Sequence, residues 1–144
     1  MSWLAMEQIQ SRVLIVDPDT PFTAILKSRL STEGFDVTVV DRITKAAQMI
    51  KDVSFGCIVM DEALPEIKGY EAIPIIKALD PDIPIIMTTR HNTQELELKI
   101  REQDVFFYHC KAFAMHELHL AIGNAIKKYE TEKRNKETFH AKRS

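Results

Sequence analysis

Cysteine is nearly absent from this sequence: Cys57 and Cys110 are the only two in 144 residues. That excludes a disulfide-stapled scaffold. Both lie in apolar, strand-like runs, where a free thiol is expected to act as a small buried hydrophobe. Four Gly and six Pro are too few for a collagen-like or low-complexity chain. No apolar run approaches the roughly 20 residues that cross a bilayer. Residues 1–10 lack the basic start, unbroken apolar stretch and small-residue cleavage site of a signal peptide. Neither sign of charge dominates, since 19 Lys and Arg face 21 Asp and Glu for a net of −2. A chain devoted to nucleic acid is expected to be clearly basic. The expectation is therefore a reduced, cytoplasmic protein with no membrane role that is not, as a whole, a nucleic-acid binder.

What the chain does have is enough apolar content, 45%, for one packed domain. A domain of this size buries about two thirds of its unfolded surface and folds without staples. The charge is unevenly spread. Residues 127–144 carry seven basic and three acidic side chains, a net of +4, which leaves −6 for the rest. An acidic body carries a basic tail.

Two hydrophobic periods alternate along that body. Residues 12–16, 36–40, 56–60, 84–88 and 105–108 are short apolar or β-branched runs of strand length. Between and after them come helical stripes. The first, over residues 21–33, has Phe22, Ile25, Leu26 and Leu30 on one face and Gly34 as its stop. The second covers 44–52. The third covers 69–79 and requires Pro74 in or near its first turn. The fourth opens on Asn92 with Glu95 three residues on, and the last runs from Met115 to Tyr129. Near-continuous apolar strands alternating with helices predict a doubly wound, five-stranded parallel sheet, a flavodoxin-like (βα)5 three-layer sandwich. Its expected limits are residues 12–129, with a leader at 1–11 and a basic helix extension or tail at 130–144.

Ligands of open parallel sheets bind beyond the carboxyl ends of the strands. The polar residues there are Asp17 and Asp19, Asp61 and Glu62, Thr88 and Thr89, and Lys111. Carboxylates that hold a hard cation, with a hydroxyl and an ammonium for phosphoryl oxygens, suit phosphate and Mg²⁺. Other readings of the residues are weaker. His116 and His119, near His109 and Cys110, read first as a solvated helix face rather than a metal site. Phe106, Phe107 and Tyr108 read as strand core, and the tail as a solvated helix end.

The segments ending at Asp17, at Asp61 with Pro65 and Gly69 four and eight residues on, at Thr89 and at Lys111 together resemble the receiver domain of two-component response regulators. That resemblance implies that Asp61 accepts a phosphoryl group from a sensor histidine kinase or phosphotransfer protein. It implies Mg²⁺ held by Asp17, Asp61 and the Ala63 backbone carbonyl, with Asp19 as a further candidate. It implies that Thr89 and Lys111 bind the phosphoryl oxygens, and that Tyr108 turns inward with Thr89. The helix 4, strand 5 and helix 5 face then changes, with a downstream effector or a second copy of the chain as partner. Self-phosphorylation and self-dephosphorylation on Asp61 are the only expected chemistry.

Three positions depart from the family pattern. Pro18 stands where a second acid usually follows the first, which predicts weakened Mg²⁺ binding. Arg90 follows Thr89 where a small residue is usual, and is expected to cover Asp61 or pair with it. Ala112 follows Lys111 where Pro is usual. These departures support an alternative, a degenerate receiver acting as a phosphorylation-independent interaction module. Asp17 and Asp19 also resemble part of a haloacid-dehalogenase-type signature, but no distal acidic pair or cap segment accompanies them. The stiff, acidic 17–21 loop is unsuited to a flavin phosphate.

Overall fold

A computed structural model describes residues 11–143, with side chains through residue 138 of the last helix. Residues 1–10 of the expected leader lie outside the described residues. The elements are β1 (Arg12–Val16), α1 (Thr20–Thr32), β2 (Asp36–Val40), α2 (Ile43–Asp52), β3 (Cys57–Asp61), α3 (Gly69–Leu79), β4 (Ile85–Thr89), α4 (Gln94–Arg101), β5 (Phe107–Cys110) and α5 (Met115–Arg143). The strands form one parallel sheet in the order β2-β1-β3-β4-β5. The order reverses between β1 and β3, which opens a crevice at their carboxyl ends.

Strand alternation divides the core into two layers. Leu14, Val16, Ile58, Met60, Ile85 and Met87 face α2, α3 and α4 through Ile43, Ala46, Ile73, Ile76 and Ile100. Val13, Ile15, Cys57, Val59 and Ile86 face α1 and α5 through Phe22, Leu26, Leu30, Leu118, Ile122 and Ile126. The result is the three-layer sandwich that the alternating periods predict.

Local chemistry explains the boundaries. Gly34 ends α1 with φ +92°. Its amide bonds the Ser31 carbonyl and that of Phe35 bonds Leu30, the paired closure of a Schellman motif. Asp19 caps the other end of α1, accepting from the Phe22 amide. The α2 start has no cap of its own, and Glu66 from the β3–α3 loop accepts the Thr44 amide at 3.1 Å instead.

Several expectations need correction. Thr93, not Asn92, caps α4, its hydroxyl accepting from Leu96 at 3.1 Å. Asn92 instead accepts the Tyr108 hydroxyl at 2.8 Å. Pro74 is the sixth residue of α3, beyond the first turn. It is exposed, so the Tyr70 carbonyl it cannot serve sits on the solvent side of the helix. Strand β5 runs two residues later than the apolar pattern implies, and as an edge strand it leaves Phe106, Phe107 and Tyr108 half-buried rather than in the core. Ile25 is exposed, and Cys110 is only partly buried whereas Cys57 is fully so.

The basic extension continues α5 as one helix to Arg143. It packs back on the turn after α3, where Tyr129 donates to Asp80 at 3.0 Å and Lys136 meets both oxygens of Asp82 at 2.6 Å. Among the described residues, no helix is long and apolar enough to cross a membrane.

Candidate functional site

Three aspartates meet one lysine at the crevice. Lys111 Nζ lies 2.9 Å from Asp17 Oδ2, 3.0 Å from Asp61 Oδ1 and 3.1 Å from Asp19 Oδ2. Asp17 and Asp61 are 3% and 5% exposed, and the Lys111 side chain is 2% exposed, so these charges are held largely out of water. The lysine also lies over the Phe22 ring, 4.4 Å from its centroid.

Each charge arrives by a separate local rule. Asp61 is the last residue of buried strand β3, Asp17 follows directly on β1, and Lys111 directly on β5. Pro18 turns the chain so that the Asp19 amide donates to Asp17 Oδ1 at 2.9 Å. The Asp61 carboxylate is held from both sides. Thr88 donates to Oδ1 at 2.9 Å, and the Ala63 amide donates to Oδ2 at 3.0 Å.

The spacing from Asp61 to Gly69 has a steric cause. A Cβ on Gly69 would lie 2.4 Å from the Asp61 carbonyl oxygen and 2.8 Å from the Glu62 Cα. Only glycine lets α3 begin against the end of β3. Glu62 completes that junction, its carboxylate accepting the Tyr70 amide at 3.1 Å at the N-terminus of α3.

The electrostatics follow from burial and crowding. Burial pushes the Asp17 carboxyl above its ordinary range, and the nearby Asp61 charge adds to that, against the bond from Lys111. Burial also acts upward on Asp19, but the bonds from Lys111, Arg90 and the Phe22 amide outweigh it and hold the group low. Burial acts downward on Lys111, yet Asp17 and Asp61 carry it above its ordinary value. Burial lifts Tyr108 to about 12, so its hydroxyl stays a donor.

The sequence-predicted residues fall into two groups. Asp17, Asp19, Asp61 and Lys111 are brought together. Thr89 and Tyr108 are not in that cluster. Thr89 accepts the His91 amide at 3.2 Å on the other side of β4, the side that Tyr108 shares. The hydroxyl on Asp61 belongs to Thr88, which is fully buried and was not singled out from its neighbour by the strand-end pattern. The register Asp61↔Thr88 is the signal that separates the two, because a one-residue shift exchanges the faces. Arg90 neither covers nor pairs with Asp61; it pairs with Asp19. His119 bonds Glu33 at 2.6 Å.

Among the described residues, no set of three or more His, Cys, Asp or Glu side chains forms a metal cage. Mg²⁺ does not require one, because it binds through one or two carboxylates and keeps several waters. Asp17 and Asp61 are hard oxygen donors within 3.0 Å of one ammonium, and three carboxylates against Lys111 and Arg90 leave an unbalanced negative charge. The donor set fits that cation.

A 2-1-3-4-5 parallel sheet with buried acids and an ammonium at its switch point defines a flavodoxin-like α/β domain with an acidic rim pocket. Residues 13–123 match the family described as response regulator receiver domain, and the chain belongs to that family. It is 27% identical over 114 residues to the DNA-binding transcriptional regulator NtrC of Rhizobium meliloti (strain 1021), covering 79% of this chain and 24% of the regulator. The chain thus spans about a quarter of that relative's length. Among solved structures it resembles a response regulator receiver domain protein (CheY-like) from Methanospirillum hungatei JF-1, with TM-score 0.77 and 26% identity over 84% of this chain and 97% of that one. It also resembles the beryllofluoride-activated NtrC4 receiver domain dimer, with TM-score 0.78 and 28% identity over 83% and 98%. The protein is therefore a receiver domain of two-component signalling, a family in which phosphorylation on an aspartate is general.

Proposed function

We propose that Asp61 is the phosphoacceptor of this receiver and that a phosphohistidine on a sensor kinase or phosphotransfer protein is the donor. The observation that carries this is the Lys111 ammonium, 3.0 Å from Asp61 Oδ1 at the crevice of the sheet. An Asp61 oxygen attacks phosphorus as the P–N bond of the donor imidazole breaks, and the bonding pair returns to the ring. Lys111 then exchanges carboxylate contacts for phosphoryl oxygens, which neutralises the charge that arrives. The Thr89 hydroxyl, bonded by the His91 amide at the open end of β4, is the group to move toward the phosphoryl oxygen, and Tyr108 follows it inward from Asn92. Phosphorylation from small donors and hydrolysis of the acyl phosphate belong to the same pocket.

When bound, Mg²⁺ supplies further positive charge to the phosphoryl oxygens, and Asp17, Asp61 and the Ala63 carbonyl are the groups to hold it. Pro18 offers no side-chain ligand, and the Asp19 carboxylate is already engaged by Arg90, Lys111 and the Phe22 amide, so this site is weak. The output passes through α4, β5 and α5 to an effector protein or a second copy of the chain. Such a copy is the arrangement named for the NtrC4 receiver.

Incubation with phosphoramidate and Mg²⁺, read by intact mass, tests the assignment. Wild type should gain one phosphoryl group and Asp61→Asn none. No gain on wild type overturns the reading in favour of a phosphorylation-independent interaction module, and an equal gain on Asp61→Asn overturns Asp61 as the acceptor.

A further inference from the structure

Arg90 directly follows β4 at the crevice with its side chain 56% exposed, yet its guanidinium is committed to Asp19. Asp19 is 15% exposed and shares Oδ2 between Arg90 and Lys111, while Oδ1 caps α1. Asp19 is thus the acid next nearest the pocket after Asp17 and Asp61, and a protein cation already sits on it. A guanidinium is permanently charged and fits a carboxylate well, so it competes with a divalent ion for that oxygen.

From this arrangement we infer that Arg90 is a built-in competitor for the divalent cation, which holds Asp19 out of the metal's coordination shell and sets the Mg²⁺ affinity of the resting pocket. The inference rests on the Mg²⁺ reading given above but not on phosphorylation of Asp61. Two effects act together. Arg90 neutralises part of the acid cluster, and it fixes the Asp19 side chain in a direction that serves Lys111 and the α1 cap. Removing the guanidinium leaves Asp19 Oδ2 with Lys111 as its only cation, opens one side of that oxygen to a metal ion and returns one negative charge to the rim.

Isothermal titration with MgCl₂ alone, in the absence of any phosphodonor, tests this on five proteins of this chain: wild type, Arg90→Ala, Arg90→Gln, Asp19→Asn and the Arg90→Ala/Asp19→Asn double variant. Arg90→Ala should tighten Mg²⁺ by roughly fivefold, the upper range for an exposed ion pair. In the Asp19→Asn background the same substitution should change affinity by less than about twofold, because the ligand it would free is gone. Arg90→Gln should match Arg90→Ala, which separates the effect from loss of side-chain packing. Equal tightening in both backgrounds would show bulk charge acting at a distance and overturn the inference. No tightening in Arg90→Ala, or no Mg²⁺ binding in any of the five, overturns it as well. If wild type takes no phosphoryl group while the Arg90 effect appears, the competitor stands and only the phosphoacceptor reading falls.

Discussion

Replacing Lys111 with Met removes the one charge common to Asp17, Asp19 and Asp61 while nearly preserving side-chain volume. At an effective dielectric of about 20, a unit pair 3 Å apart carries roughly 5.5 kcal/mol of gross attraction, and Lys111 has three such contacts. Most of that offsets desolvation. The net cost of breaking a buried pair by removing one partner is about 3–5 kcal/mol. Lys111→Met should therefore lose about 3 kcal/mol or more at pH 7, against the 5–15 kcal/mol typical of a domain. The sign of the pH dependence identifies the cause. Asp17 already binds its proton more tightly folded than unfolded, so its contribution to stability improves as pH falls through its raised pKa. Without the ammonium the Asp17 carboxyl moves further up, and the deficit should shrink as pH falls from 7 toward 4.5. Urea unfolding followed by far-ultraviolet circular dichroism reads this directly, and Lys111→Met combined with Asp17→Asn should recover much of the loss. A cost below about 1 kcal/mol that does not vary with pH would refute the claim that this lysine neutralises the acids.

Two further outcomes follow from the geometry. Gly69→Ala drives a Cβ into the Asp61 carbonyl and the Glu62 Cα and should cost about 1–3 kcal/mol in urea unfolding; a change under about 0.5 kcal/mol would mean that the β3–α3 junction yields freely. Burial holds the His109 pKa below its ordinary value, against the pull of Glu117, so the folded state disfavours the charged ring. Stability should then be full above about pH 6.5 and decline as pH drops below it, and His109→Leu should flatten that slope between pH 7 and 5. An unchanged slope would place the titrating group elsewhere.

The fold was legible because each strand is a short apolar run and each helix carries a stripe, so the element types could be read even where boundaries could not. Those boundaries moved for identifiable reasons. Val105 and Phe106 are as apolar as true strand residues, but the register with β4 starts at Phe107, opposite Ile86, and Phe106 only donates its amide to the Ile85 carbonyl at 2.8 Å. Asn92 and Glu95 match a helix-start spacing, yet the Thr93 hydroxyl lies one residue closer and caps α4. At the site, Asp17, Asp61 and Lys111 announced themselves as charges that end buried runs. The partner of Arg90 did not, because whether it reaches Asp61 or Asp19 depends on the course of the loop after Pro18. Nor could Thr88 be separated from Thr89, since adjacent strand residues differ only in the face that register assigns them.

That assignment bears on how a change at Asp61 is felt elsewhere. Asp17 and Asp61 share the α1/α5 face with Thr88, while Thr89 and Tyr108 belong to the α2–α4 face. Successive residues of a strand cannot both face the same way while the ladder is kept. A hydroxyl from Thr89 therefore reaches a group on Asp61 only at the open end of β4, where pairing with β3 stops at Asp61↔Thr88. The bonds that would give way are at that end: His91 to Thr89, and Tyr108 to Asn92 just before the Thr93 cap of α4. The deep pair, Thr88 on Asp61, can persist throughout, because it lies within the ladder and is fully buried. The pocket thus has one buried hydroxyl that holds the acid within the ladder and a second, on the opposite face, bonded to the loop that leads into α4; if the second moves as proposed, the loop before α4 changes while the sheet stays paired.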